Sequence, residues 1–235
     1  MTSVEQRAEN TQKSPNSSAK RNRWLCWLVT LLVPTVLILT AMRLMMTTIF
    51  LNFEYSISNF PADRYGFTTE ERLYYAEFAL NYLLNSADIS YLGDLVFEDG
   101  SPVYNQRELQ HMVDVKEVVR IALGVWYLSI IILVALWIWA WRGDWLSEYK
   151  TGLARGGWLT VIILGFLLLF IIVSFGVFFV AFHNVFFDPG TWIFNYNDTL
   201  IRLFPQRFWR DIFIYVGVLA ILGGLALAIG FRPRK

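Results

Sequence analysis

Only two histidines occur in the 235 residues, His111 and His183. Imidazole titrates near neutral pH and is the side chain best suited to take up and return a proton there. Residues three or four apart on a helix share a face, which sets Asp114 beside His111 with Arg107 close by. A carboxylate in that position would orient the imidazole and raise its basicity; the alternative is a solvated helix-face histidine with an incidental acid neighbour. His183 stands in different company. From Gly156 to Phe187 it is the only ionisable residue, and such a group at the end of an apolar run carries a desolvation cost that needs a reason. It either does chemistry or merely ends an apolar helix in a polar interface. Downstream, Trp192 supplies an aromatic face, and Arg202 a guanidinium fork suited to binding or polarising an ester oxygen. Asp198, four residues before Arg202, offers the plainer alternative of an ion pair within one helical turn.

Hydropathy sets the elements that must position these side chains. Hydrophobic residues make up 56% of the chain and aromatics 17%, with a mean hydropathy of +0.44, more than a soluble domain of this length carries. Crossing a hydrocarbon core of about 30 Å takes roughly 20 helical residues. Four stretches qualify: 24–46, 121–141, 158–182 and 212–231. The first reads as an uncleaved signal anchor, because Lys20, Arg21 and Arg23 precede an apolar run longer than a signal peptide's and no A-x-A site follows. The lone cysteine, Cys26, cannot form an internal disulfide and reads as packing within that span.

Charge gives the orientation, since positively charged loops stay in the cytoplasm. Residues 1–23 hold five basic groups against two acidic, the 142–157 loop adds Arg142, Lys150 and Arg155, and 232–235 holds three basic groups and no acid. The 47–120 segment is opposite, with five basic groups against twelve acidic. Both termini are therefore expected in the cytoplasm, 1–23 as a disordered tail. Trp24, Trp27, Trp137, Trp139, Trp141, Trp145 and Trp158 mark one interfacial belt at the same side.

The segment 47–120 is too aromatic for a solvated tail and should form a small extracytoplasmic cap. Thr68 and Glu71 have capping-box spacing, which starts a helix running to about Leu84. Leu95–Phe97 and Pro102–Tyr104 flank Glu98-Asp99-Gly100-Ser101, the pattern of a short β-hairpin. Asn105 and Glu108 repeat the capping-box spacing and begin a helix of about 36 residues that continues into the second span, with His111 on its extracytoplasmic part. Counted from Trp158, His183 lies about 38 Å along its helix, beyond the hydrocarbon core and in the outer headgroup zone. In the outer loop, 183–211, Asp188-Pro189-Gly190 is a turn signal, Trp192, Phe194 and Tyr196 form an aromatic cluster, Asn197 or Asp198 can cap a short helix, and Pro205 suits the first turn of span four. Two scarce titratable groups at the level of glycerol esters suggest acyl-group chemistry.

Other chemistries find little support. The two histidines with Asp114 could bind zinc, but neither H-E-x-x-H nor paired cysteines occur. There is no phosphate-binding loop, no G-x-S-x-G and no dinucleotide fingerprint, and nothing suggests a nucleic-acid partner. The glycines within spans suit close helix packing. The fold class is an all-α polytopic membrane protein: four transmembrane helices, a small helical cap and a short β-hairpin.

Three blocks carry a resemblance: RELQHMVDVKEV from Arg107, FHNVFFDPGTWIF from Phe182 and NDTLIRLFPQRFW from Asn197. Together they resemble a bacterial four-span family that includes lipoprotein intramolecular transacylase, Lit. That resemblance covers about Trp24 to Phe231. It implies an intramembrane acyltransferase of the bacterial cytoplasmic membrane that moves the sn-2 acyl chain of a diacylglyceryl-cysteine lipoprotein to the α-amine of the same cysteine, giving the lyso-form lipoprotein. It also implies that His111 and His183 are the essential pair, that membrane lipid and the lipoprotein N-terminus are the partners, and that no metal or organic cofactor is needed. Two other classes stay open from the residues alone: a non-catalytic lipid- or protein-binding membrane protein, and a metal-dependent membrane hydrolase.

Overall fold

A computed structural model describes residues 15–232, with side chains described from Arg23 to Arg232. Helices α1 (Pro15–Met45), α5 (Gln106–Arg142), α6 (Leu146–Phe186) and α8 (Gln206–Gly230) are long and apolar enough to cross a membrane. Between them lie α2 (Thr48–Ser56), α3 (Thr69–Leu84), the single turns α4 (Ser90–Gly93) and α7 (Thr199–Leu203), all gathered at one end as a cap. Residues 1–14 and 233–235 lie outside the described residues, so most of the expected tail does too. Its residues from Pro15 to Arg23 are helical and continue α1, which differs from the disorder expected for that part of the tail.

Apolar packing builds the membrane bundle from α6 outward. α6 lies against α8 and α1 along most of their lengths. Small residues permit this: a Cβ on Gly152 would sit 2.8 Å from the Cys26 carbonyl oxygen, and one on Gly156 2.8 Å from that of Thr30. This packing explains why α6 starts at Leu146, where the sequence pattern suggested an inner loop over 142–157. Paired glycines disfavour a helix by about 1 kcal/mol each, but here they bring two backbones together, and the close packing that results outweighs that cost. α5 stands apart. It packs on α1 and touches α6, yet Ile121, Val125, Leu128, Ile131 and Val134 are exposed along it. On α6, Ile162, Phe166, Leu169, Val173 and Val177 are exposed too. Such surfaces are stable only against lipid tails.

Local signals build the cap. Both capping boxes form: Thr68 with Glu71 at the start of α3, and Asn105 with Glu108 at the start of α5. The hairpin reduces to one antiparallel bridge, Val96 with Pro102, closed by Phe97 N–H to Ser101 and Val103 N–H to Leu95, with Gly100 at φ 81° in the turn. Proline at one of the two bridging positions has no N–H to extend the ladder. Leu92, Val103, Tyr104, Met112, Leu200 and Leu203 bury together and tie the hairpin and α7 to the first turns of α5. A second cluster, Phe50, Tyr55, Ala76, Leu80 and Phe208, joins α2 and α3 to α8. α2 has no expectation behind it, although Thr47 caps it through the Phe50 N–H. At the opposite end, Trp145 leaves the expected interfacial belt: it is buried against Trp139 and Tyr149, whereas Trp24, Trp27, Trp137, Trp139, Trp141 and Trp158 are exposed.

Candidate active site

The cap end brings the two histidines together. His111 lies two turns into α5 and His183 in the last turn of α6, and their rings face one another at 6.3 Å between centroids with planes 22° apart. That separation is too long for a direct contact between the rings and leaves both within reach of one substrate group. Aromatic rings close the surroundings. Phe187 and Phe194 lie 4.9 and 5.3 Å from His111, and Trp192 and Phe179 lie 4.7 and 4.0 Å from His183.

The nitrogens differ in their commitments. His183 Nδ1 is 2.8 Å from the Phe179 carbonyl oxygen one turn back. A carbonyl can only accept, so Nδ1 carries the proton and Nε2 presents its lone pair. His111 is buried, and its Nδ1 has no hydrogen-bond partner. An unpartnered buried N–H costs more than an unpartnered lone pair, since acceptors are more often left unsatisfied than donors. The tautomer with the proton on Nε2 is therefore favoured, which makes that nitrogen a donor. His183 and His111 thus offer a base and a donor on facing rings.

The supporting residues are arranged differently from the expectation. Asp114 does not orient His111: its carboxylate accepts from Gln110 Nε2 at 3.1 Å, and nothing reaches His111 Nδ1. Three residues on along α5, Asp114 is turned away from the imidazole by the burial of His111 against the loop. Arg202 is not available to polarise an ester. Its guanidinium pairs with Asp63 at 3.0 Å and lies 3.5 Å over the Phe67 ring, while the Tyr65 and Phe67 amides also donate to Asp63. Burial alone would raise the Asp63 pKa, but Arg202 and those amides hold it below the usual carboxylate range. Asp198 pairs not with Arg202 but with Arg107 at 3.1 Å and with Asn105 at 3.2 Å. Trp192 is the expected supporting residue that does meet an imidazole. Its buried Nε1 has no partner.

One residue expected only as a capping-box partner organises more than its own helix. Buried Glu108 closes the α5 capping box with one oxygen, at 2.8 Å from the Asn105 amide, and with the other accepts the Leu200 N–H at 2.7 Å. It therefore caps α5 and α7 together, one turn before His111. The only signal was the N3 position of the capping box, which does not reveal a second helix. With Asp198 bridging Arg107, Asn105 and the Asn195 N–H, Glu108 fastens the Phe194 loop over His111. Gly190, at φ 88°, turns the chain from α6 toward that loop. Among the described residues no three His, Cys, Asp or Glu side chains converge as a metal-ligand group.

A bundle of four helices long and apolar enough to cross a membrane, with a helical cap that brings two histidines face to face, defines a polytopic membrane protein. The chain belongs to the lipoprotein intramolecular transacylase Lit family, whose sequence model matches residues 27–209. It is accordingly a transacylase acting within lipoproteins. An uncharacterised protein of Aquifex aeolicus is 32% identical over 88% of this chain and 94% of its own. The structure of the membrane-integral lipoprotein intramolecular transacylase Lit from Bacillus cereus superposes with a TM-score of 0.74 at 23% identity, over 91% of this chain and 95% of that one. A variant of that protein with one histidine replaced by alanine superposes at 0.69 and 22% identity, over 92% and 94%. These structural likenesses establish a shared fold.

Proposed function

We propose that His183 and His111 carry out the transfer of the sn-2 acyl chain of a diacylglyceryl-cysteine lipoprotein to the α-amine of the same cysteine. The facing of the two imidazoles at 6.3 Å, with His183 Nε2 left free by the Phe179 bond, carries this reading. The neutral amine attacks the ester carbonyl carbon, and His183 Nε2 takes the proton that the new C–N bond makes acidic. His111 Nε2–H donates to the oxyanion of the tetrahedral intermediate. When the C–O bond to glycerol breaks, the proton returns from His183 to the departing sn-2 oxygen, leaving an amide, a free hydroxyl and neutral His183. No water enters the balance. Donor and acceptor belong to one molecule, so the protein's main contribution is to hold them in reach, an effect of up to about 7–11 kcal/mol. The aromatic ring set around the histidines suits that role, and exposed α5 and α6 flank it with surfaces that acyl chains can follow.

Residues 24–231 form the membrane domain in this reading, with 47–120 and 183–211 on the extracytoplasmic side of the bacterial cytoplasmic membrane and both termini inside. The partners are membrane lipid and the lipoprotein N-terminus.

Co-expression with a lipoprotein, followed by mass spectrometry of its N-terminal lipopeptide, tests the assignment. The parent should convert the diacylglyceryl form to the lyso form. His183→Ala should lose about 10²–10⁴-fold in conversion rate, the range for a general base. His111→Gln, which keeps a donor, should retain more activity than His111→Ala, and Asp114→Asn should match the parent. Equal conversion by His183→Ala and the parent would end the proposal.

A further inference from the structure

At the end of the bundle remote from the histidines, α1 and α6 leave a cavity of about 470 Å³ lined by Arg23, Cys26, Trp27, Glu148, Thr151 and Arg155. Beside it, Gly152 brings α6 close to the Cys26 carbonyl and Val29 of α1. None of the ion pairs among the described residues uses Arg23, Arg155 or Glu148. Among the described residues Arg155 hydrogen-bonds only the Cys26 sulfur, at 3.8 Å, and stands 5.7 Å over the Trp27 ring. A thiol is a poor acceptor for a guanidinium, so two forks remain for an anion with oxygen atoms. Among the described residues Glu148 accepts only from its neighbour Ser147.

Depth narrows the ligand. From Arg155 to His183 α6 runs 28 residues, at most about 42 Å and less by what its kink at Ser174 removes, enough to take the chain across a hydrocarbon core of about 30 Å. Exposed Trp24, Trp27 and Trp158 flank the cavity, as interfacial tryptophans do. Two guanidinium groups and one carboxylate leave one net positive charge, the complement of a single phosphodiester. Arg142 in the last turn of α5 and Lys150 in the second turn of α6 add positive charge at the same end.

We propose that this cavity binds the headgroup of an anionic phospholipid of the phosphatidylglycerol class from the leaflet opposite the active site. Arg23 and Arg155 take the phosphate oxygens, and the Glu148 carboxylate accepts from a headgroup hydroxyl. Basic pockets between transmembrane helices are suited to such recognition, and planar guanidinium matches phosphate oxygens two at a time.

The test uses the purified full chain in detergent micelles, with lipid retention read by native mass spectrometry and stability by thermal unfolding. Phosphatidylglycerol should be retained at least tenfold more strongly than phosphatidylcholine and should raise the unfolding temperature, while millimolar inorganic phosphate should leave it unchanged. The double variant Arg23→Gln/Arg155→Gln should lose that preference and still convert lipopeptide. Should the double variant fail to fold, Arg23→Lys and Arg155→Lys, which keep charge and lose the fork, should each bind phosphatidylglycerol several-fold more weakly. Equal retention of both lipids by the parent, unchanged retention in the variants, or a shift reproduced by free phosphate would overturn the proposal.

Discussion

Glu54 shows at the scale of one residue how a buried group becomes a pH sensor without touching the reaction. It is fully buried on α2, and no donor reaches either carboxyl oxygen. Burial pushes its pKa from 4.5 up to about 7, with the Asp211 carboxylate beside it acting in the same direction and Arg207 and Arg210 opposing. Asp211 is itself held by Arg207 at 3.1 Å and Arg210 at 3.2 Å, so a proton on Glu54 is the group that can bridge the two carboxyls. Between pH 4.5 and 7 the folded protein holds a proton that the unfolded chain has released. The contribution of Glu54 to stability therefore falls as pH rises through that window, by at most about 3 kcal/mol in all. Glu54→Gln fixes the neutral form. The unfolding temperature of Glu54→Gln in detergent, less that of the parent, should rise from pH 5 to 8, and a difference that does not change with pH would exclude the shared proton. Nothing in the sequence marked Glu54, because its position beside Asp211 joins residues more than 150 apart. His183 was legible for the opposite reason: a charge-free run is a property of contiguous residues. The pairing of Arg202 with Asp63 spans 139 residues and was invisible for the same cause as Glu54.

Among the elements, legibility follows how local each cause is. The two capping boxes need only four residues each, and both formed where Thr68–Glu71 and Asn105–Glu108 stood. The α6 start was hidden because Gly156 and Gly157 lower intrinsic helix propensity and find their compensation in α1 and α8. Two glycines of α6 now separate packing from propensity. A Cβ on Gly157 would drive into the Gly224 carbonyl and crowd Ala228, whereas nothing lies within 4 Å of one on Gly165. Gly157→Ala forces the α6–α8 contact apart and should cost about 1–3 kcal/mol. Gly165→Ala should be neutral or stabilising by up to about 1 kcal/mol. Thermal unfolding of both variants in one detergent decides it, and equal losses would mean that the tight approach of α6 to α8 is not what holds them.

For the molecule as a whole, charge and site must agree on one side of the membrane. The net charge of +1 conceals an acidic cap and basic segments at the far end, and spans are oriented by the basic ones, which stay in the cytoplasm. The histidine pair shares the cap end, at the other end of α6 from Arg155, so the proposed orientation also assigns the proposed reaction to the extracytoplasmic leaflet. Two exposed probe positions test this in a Cys26→Ala background, where no native thiol competes. Ser101 lies in the hairpin turn of the cap, and Ser147 in the first turn of α6 at the basic end. A membrane-impermeant maleimide should label Ser101→Cys in intact spheroplasts and Ser147→Cys only after lysis. The reverse pattern would put the cap and both histidines in the cytoplasm, and the proposed reaction would then have to take its lipoprotein from the inner leaflet.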